Sequence, residues 1–373
     1  MELELQRTCL NGFQTVLDRT AVQEETLESI VPDACPDIMR IVDADGQICL
    51  TARELSTGSL RVSGTVRAAV LYIPDGEDGP RHMDVLIPFI CTVDDPAIHS
   101  GCRVTAVPRL CAVDARAVNP RKILTRAELA VDVRVFAPGE NSACTGASCG
   151  SADEGVQQKL EQQEAYLIYA VSEKSFTFSD VLNLPASKPK AEELLRSRLA
   201  PRNLEAKIIG SKLILKGEVE LAILYRAEGG AVASHRFQLP YSQIMEVSGA
   251  AEDCDVMVDP TVSGLECTLQ TGDPGAVAVT MELLAQAAVW EKQPVTLLSD
   301  LYCTRCPLEV EREEFSISQL VGGESRRESV RQFCECGIPA RTVVDCTLSM
   351  GRVVRTREEG TVSFRAETSV TIL

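Results

Sequence analysis

Residues 58–72 read GSLRVSGTVRAAVLY, residues 211–225 read SKLILKGEVELAILY, and residues 360–373 read GTVSFRAETSVTIL. In all three segments, apolar or small residues alternate with polar ones. Alternation with a period of two over this length is typical of a long strand with one buried face. The other face carries Ser, Arg, Thr, Lys and Glu, as a solvent-exposed face does. The same strand therefore occurs three times, which indicates a repeat protein of mainly β structure.

The likeness continues on both sides of the strand. Tyr72 aligns with Tyr225 at an offset of 153 residues, and Leu224 aligns with Leu373 at an offset of 149 residues. Prolines before the strand, a glycine inside it, a tyrosine at its end and a proline after it all recur. These positions are Pro32, Pro36, Gly64, Tyr72 and Pro88 in the first copy, and Pro185, Pro189, Gly217, Tyr225 and Pro240 in the second.

These matches divide the chain. They predict a first repeat at 1–137, a Ser/Gly linker at 138–155, a second repeat at 156–294 and an incomplete third repeat at 295–373. A module of roughly 150 residues buries about 70% of its unfolded surface, so each full repeat is long enough for its own core. We expect tandem antiparallel β-sandwich-like modules.

Short helices are predicted after the proline pairs, at DIMRI (37–41) and KAEELLRSR (190–198), because proline suits the first helical turn. The prolines either shape a docking surface or set the direction of the chain into the next element, and we favour the second role. Gly64 and Gly217 are interpreted as strand glycines at a bend, a bulge or a close approach of another backbone.

The charge of the chain limits its partners. The formal net charge is -17 and the pI is about 4.8, so the surface repels phosphate backbones and anionic lipid. No apolar run reaches the roughly eighteen residues that a membrane-spanning helix needs, and the first residues lack a secretory signal pattern. We therefore expect a cytoplasmic protein with protein partners, without nucleic acid and without membrane insertion.

Fifteen cysteines and three histidines are the candidate metal ligands. Cys303 and Cys306, followed by Cys334 and Cys336, are a weak candidate for a four-thiolate zinc site. The second pair is too closely spaced for the usual zinc knuckle. Since no histidine supports the site, we favour plain thiols and expect neither a metal nor another cofactor.

The sequence carries no recognisable catalytic motif. The Gly-rich phosphate loop, the nucleophile elbow and the zinc-protease motif are all missing from a credible context. A pair of catalytic carboxylates stays open as an alternative, because such residues come together only in space. We expect a protein that is not an enzyme and has no catalytic residues.

The combined motifs resemble a known family. A P-x3-P motif, a long strand ending in G-x-V-x3-[VI]-L-Y and a following I/L-P-[FY] are similar to the SPOCS domain of the SipL and SpoVID-like spore-coat morphogenetic proteins of sporulating Firmicutes. The resemblance implies a non-enzymatic structural or interaction scaffold in spore envelope (coat) assembly. It implies a location in the mother cell, at the forespore surface or spore coat, and spore-coat morphogenetic proteins as partners. Relatives usually carry a LysM domain, which is not recognisable here, so their contact with a coat ATPase does not carry over.

Two further expectations remain. The alternative function is a β-sandwich module that binds cell-wall glycan or another cell-surface component, although the chain has few aromatic residues for a sugar platform. The third copy stops one residue before the closing tyrosine, so we favour a fragment of a longer product over a strand that is satisfied elsewhere. A strand with an unpaired edge invites pairing with another chain, and we expect self-association through 360–373.

Overall fold

The computed structural model describes residues 3–10, 12–76, 79–139, 142–149, 155–247, 254–305 and 307–373, apart from 313, 315, 316, 318, 322–328, 330, 332 and 334–341. Within these ranges the regular structure is entirely β. The strands are β1 (Leu3–Cys9), β2 (Phe13–Ile30), β3 (Ile38–Ser56), β4 (Ser59–Pro74), β5 (Arg81–Asp94), β6 (Arg103–Asn119), β7 (Lys122–Pro138), β8 (Ser142–Cys149), β9 (Val156–Asn183), β10 (Ala191–Ile209), β11 (Lys212–Ala227), β12 (Val232–Glu246), β13 (Asp255–Leu269), β14 (Ala276–Cys303), β15 (Cys346–Glu358) and β16 (Thr361–Ile372). The prediction of a mainly β, antiparallel protein is confirmed.

The prediction of short helices is wrong. The stretches at 37–41 and 190–198 belong to strands β3 and β10, which pair along their lengths with β4 and β11. The proline pairs form tight turns instead, with Cys35 N–H donating to Pro32 O and Lys188 N–H donating to Pro185 O. Register shifts at the start of β3 and β10 hide their period of two, and strand pairing overrides the helix propensity of Glu, Leu and Arg.

Each full repeat stacks two sheets of three strands. In the first repeat, β3-β4-β5 form one sheet, and β2, β7 and β6 form the other. In the second repeat, β10-β11-β12 face β9, β14 and β13. The first core contains Val66 and Phe89 from one sheet together with Leu129 and Val131 from the other. The predicted inward rows of the long strands are therefore the residues that hold the layers together.

The two repeats share one sheet. Its strand order is β13-β14-β9-β2-β7-β6, and the central strands are joined where Phe13 pairs with Ile168 in antiparallel fashion. The strands β13, β14 and β9 of the second repeat are the counterparts of β6, β7 and β2 of the first. Counted from either edge of the sheet, equivalent strands therefore follow one another in the same order. Such a palindrome is the arrangement expected of two copies related by a two-fold axis.

The segments between and after the repeats also form strands. The stretch 138–155 includes β8, which pairs with β1, so it supplies a strand where a linker was predicted. Its small side chains allow this, since Ala143 and Ala147 are buried. The residues at 295–303 extend β14 and pair with β9, and the third repeat is represented by the hairpin of β15 and β16. The described residues contain no helix that is long and apolar enough to cross a bilayer.

Candidate functional site

The recurring tyrosines and prolines are structural partners. Tyr72 is fully buried and its hydroxyl donates to Pro36 O at 3.4 Å, while the buried Tyr225 donates to Pro189 O at 3.1 Å. Burial is the largest cause that raises the pKa of Tyr72, to about 12, and it also raises the pKa of Tyr225. Each tyrosine thus ties the end of the long strand to the turn formed by the proline pair. Pro32 and Pro185 open those same turns.

The recurring glycines lie beneath aromatic rings. Gly64 pairs with Phe89 on β5, and Gly217 pairs with Tyr241 on β12. A Cβ on Gly64 would lie 2.6 Å from the Phe89 ring and would overlap the carbonyl oxygen of Cys49. The glycines are therefore sites of close approach, which was one of the readings open from sequence.

The prolines before these aromatics are Pro88 and Pro240. They lie on β5 and β12, each of which is an edge strand of a three-stranded sheet. Proline cannot donate to a ladder, so it protects such an edge from pairing with another chain.

The candidate zinc ligands are only partly described. Cys303 is half-buried and its sulfur accepts the Arg305 N–H at 3.4 Å, whereas Cys306, Cys334 and Cys336 lie outside the described residues. Among the residues that are described, no three histidine, cysteine or acidic side chains form a group that could hold a metal ion. Burial raises the pKa of the Cys49 and Cys267 thiols to about 11, which makes them poor nucleophiles.

Two networks of hydrogen-bonded and charged side chains lie at the seam, which we define as the contact between the first and second repeats. Gln286 of β14 is buried; its amide nitrogen donates to Ala106 O at 2.9 Å and its oxygen accepts the Ala106 N–H at 2.8 Å. The Arg53 guanidinium donates to the same Gln286 oxygen at 2.8 Å and to Glu173 at 2.6 Å. One side-chain amide thus satisfies backbone groups of the edge strand β6 across the seam.

A second polar cluster at the seam surrounds Glu193 of β10. Arg81 and His82 approach its carboxylate from the first repeat at 3.0 and 3.1 Å, and Arg226 approaches from the second at 2.9 Å. Burial on its own would raise the pKa of Glu193, but the hydrogen bond from Arg226 and the charges of His82 and the arginines hold the pKa below its ordinary value. A cavity of about 320 Å³ lies beside the cluster, lined also by Arg67.

The cluster predicts a pH-dependent stability. A depressed carboxyl pKa contributes stability that is present above the unfolded pKa of about 4.3 and is lost as the pH falls through the folded pKa. We expect Glu193→Gln to unfold at lower urea concentration than the unmodified protein at pH 7. This difference should shrink below about pH 4. Glu192→Gln, whose side chain is 41% exposed, is the matched control. A deficit of Glu193→Gln that is the same at both pH values would contradict this account.

The family comparison supports the interpretation of the repeats. The family model of the SipL SPOCS domain matches residues 37–118 and 190–270. Each of the two full repeats therefore carries a SPOCS domain. The first SPOCS match spans β3 to most of β6, and the second spans β10 to β13. No curated protein and no solved structure matches the chain.

The seam residues of this SPOCS protein were not found from sequence. Gln286, Arg53 and Glu193 differ in type from their repeat counterparts, so a search for recurring residues passes over them. The signal that could have found part of the seam is the reverse: a charge that changes sign at a recurring position. Asp43 and Asp45 correspond to Arg196 and Arg198 at the offset of 153 residues.

Proposed function

We propose that this SPOCS protein is a non-enzymatic scaffold in spore envelope assembly. The observation that supports it most is the pair of SPOCS domains joined into one body by a continuous sheet and a polar seam. The domain family points to sporulation. Two domains that share one sheet would hold bound partners at a fixed spacing, as a scaffold requires. In this proposal the protein acts in the mother cell, at the forespore surface, and its partners are other coat morphogenetic proteins.

The proposal is tested in a sporulating host. A fluorescent fusion of the full chain should collect around the forespore after engulfment starts, and a pull-down from the same cells should recover coat morphogenetic proteins. Uniform fluorescence in the mother cell throughout sporulation would contradict it. Co-sedimentation with purified cell-wall glycan, abolished when Phe364 and Tyr302 are changed to alanine, would favour the alternative of a glycan-binding module. Both of these rings are largely exposed.

We further propose that a second copy of the chain associates through β16. Within the described structure, β16 pairs only with β15, and no described strand lies along its other edge. Its counterparts β4 and β11 are central strands, each flanked on both sides. Val362, Phe364, Val370 and Ile372 of β16 are exposed, Phe364 to 70%. An apolar strand with an open edge favours pairing with another such strand.

Self-association through β16 should depend on concentration. Light scattering on the full chain should show dimers that dissociate on dilution, while a chain without residues 360–373 should stay closer to monomer mass. Phe364→Lys should have the same effect without shortening the chain, because a charge on this face opposes pairing. Arg365→Lys, also on β16, serves as the control. Identical, concentration-independent monomer masses for all four proteins would contradict the proposal.

A further inference from the structure

Three residues at the same position of the three repeats meet at one point. In each repeat, the residue pairs with the leucine near the end of the long strand. These pairs are Asp43 with Leu71, Arg196 with Leu224, and Asp345 with Leu373. The leucines also meet, since Leu71 and Leu224 are buried in one cluster against which Leu373 packs.

Arg196 is the centre of this junction. Its guanidinium donates to Asp43 at 2.7 Å and to Asp345 at 2.8 Å, and its side chain is only 5% exposed. Both carboxylates are nearly buried, at 10% and 11% exposure. Two residues further along each strand, Arg198 of β10 contacts Asp45 of β3 at 3.4 Å. An ion pair this well shielded from water is screened by salt much less than a surface pair. The charge that each residue carries therefore affects which repeats can pair.

The symmetry of the seam gives this charge pattern its meaning. When two identical repeats meet about a two-fold axis, each residue near the axis faces its own counterpart. Two copies of the first repeat would bring aspartates against aspartates, and two copies of the second would bring arginines against arginines. The chain avoids both, because the sign is inverted between Asp43 and Arg196 and between Asp45 and Arg198. Unfavourable pairing of equivalent copies is a device for specificity.

We propose that this position is the specificity determinant of repeat pairing: Arg196 and Arg198 accept a SPOCS repeat that is acidic there, and the inverted charges make a first repeat pair with a second repeat rather than with another first repeat. The partner that fits the surface is thus another SPOCS repeat of opposite charge. Asp345 places the third-repeat hairpin on the same arginine. This inference stands independently of the role in the spore envelope.

Charge reversal in the full chain tests the proposal. An acidic variant carries Arg196→Asp and Arg198→Asp, and a basic variant carries Asp43→Arg, Asp45→Arg and Asp345→Arg. In each, amide hydrogen exchange in β3, β10 and β15 should rise by roughly tenfold or more, because one partner of a buried ion pair has been removed. Glu367→Arg, a reversal of an exposed carboxylate on β16, should leave exchange unchanged.

Restoration provides the decisive result. All five substitutions in one chain should return the exchange rates in β3 and β10 to near those of the unmodified protein, since the charges at positions 43, 45, 196 and 198 are again complementary. Exchange in β15 should stay raised, because Arg236 approaches Asp345 at 3.6 Å and would face a like charge after Asp345→Arg. An equimolar mixture of the acidic and basic variants should form heterodimers of twice the chain mass in light scattering. Unchanged exchange in both variants, or raised exchange in β3 and β10 of the fivefold variant, would overturn the proposal. A mixture that remains monomeric would overturn the claim that charge at this position decides which repeats pair. If the two partial variants fail to fold, the fivefold variant still decides.

Discussion

Gly217→Val should destabilise the second repeat by about 3 kcal/mol, at the upper end of the range for overpacked cores. A Cβ at Gly217 would overlap both the carbonyl oxygen of Arg202 and the ring of Tyr241. The first obstacle is backbone in the paired strand β10, which cannot move aside without breaking its ladder with β11. The two methyl groups of valine add to this crowding. The midpoint of thermal unfolding, followed by circular dichroism, measures the effect.

The control for this change is Gly351→Val. Gly351 lies in β15, and the nearest atom to a Cβ there is the Glu367 carbonyl oxygen at an ordinary 3.5 Å. This substitution should leave the midpoint almost unchanged. Hydrogen exchange would add a local readout, since Gly217→Val should weaken protection in β10, β11 and β12 first. Equal midpoints for the two variants would mean that the close approach at Gly217 is relieved at no cost.

Tyr225→Ala should cost about 3–5 kcal/mol, the usual range when a large buried aromatic side chain is truncated in a core. Tyr225 is fully buried in the core of the second repeat, and its hydroxyl reaches Pro189 O at 3.1 Å. Tyr225→Phe retains the ring and removes only this hydrogen bond, so we expect a loss of about 1 kcal/mol. Urea unfolding of both variants separates the contribution of packing from that of the hydrogen bond.

A matched aromatic residue on the surface provides the comparison. Tyr302 is 59% exposed at the end of β14, and Tyr302→Ala should change stability by less than about 0.5 kcal/mol. If Tyr225→Phe were as damaging as Tyr225→Ala, the tie to the proline turn would be the dominant role of this residue. The packing account requires the alanine variant to be clearly worse.

The sequence by itself determined the repeat and the β class. Strict alternation in three long segments indicates strands with one buried face, because side chains along a strand alternate between its two sides. Recurrence at a fixed offset located the residues that every full copy needs for its own core, among them Gly64, Tyr72, Gly217 and Tyr225. Each of these residues contacts others of its own repeat. Because those partners recur at the same offset, the pattern can be recognised from the sequence alone.

Local propensity failed where tertiary pairing decides. KAEELLRSR contains good helix formers, yet β11 offers a complete ladder of backbone partners, and the register shifts in β10 remove the period of two that would have revealed a strand. The Ser- and Gly-rich stretch before the second repeat likewise forms a strand, β8, because the chain returns there to pair with β1. The partner of β8 is more than 130 positions away in the sequence, and the alternation of β10 is hidden by its register shifts, so neither strand could be predicted from its own residues.

Only the tertiary structure decided how the repeats meet. The Gln286 side chain makes hydrogen bonds to the backbone of Ala106, 180 residues away in the sequence, and Arg196 binds carboxylates from both other repeats. These contacts arise where the copies differ from one another, and a search for sameness cannot find them. The physical reason is that a core is repeated with each copy, whereas a contact between copies forms once and needs unlike, complementary groups on its two sides.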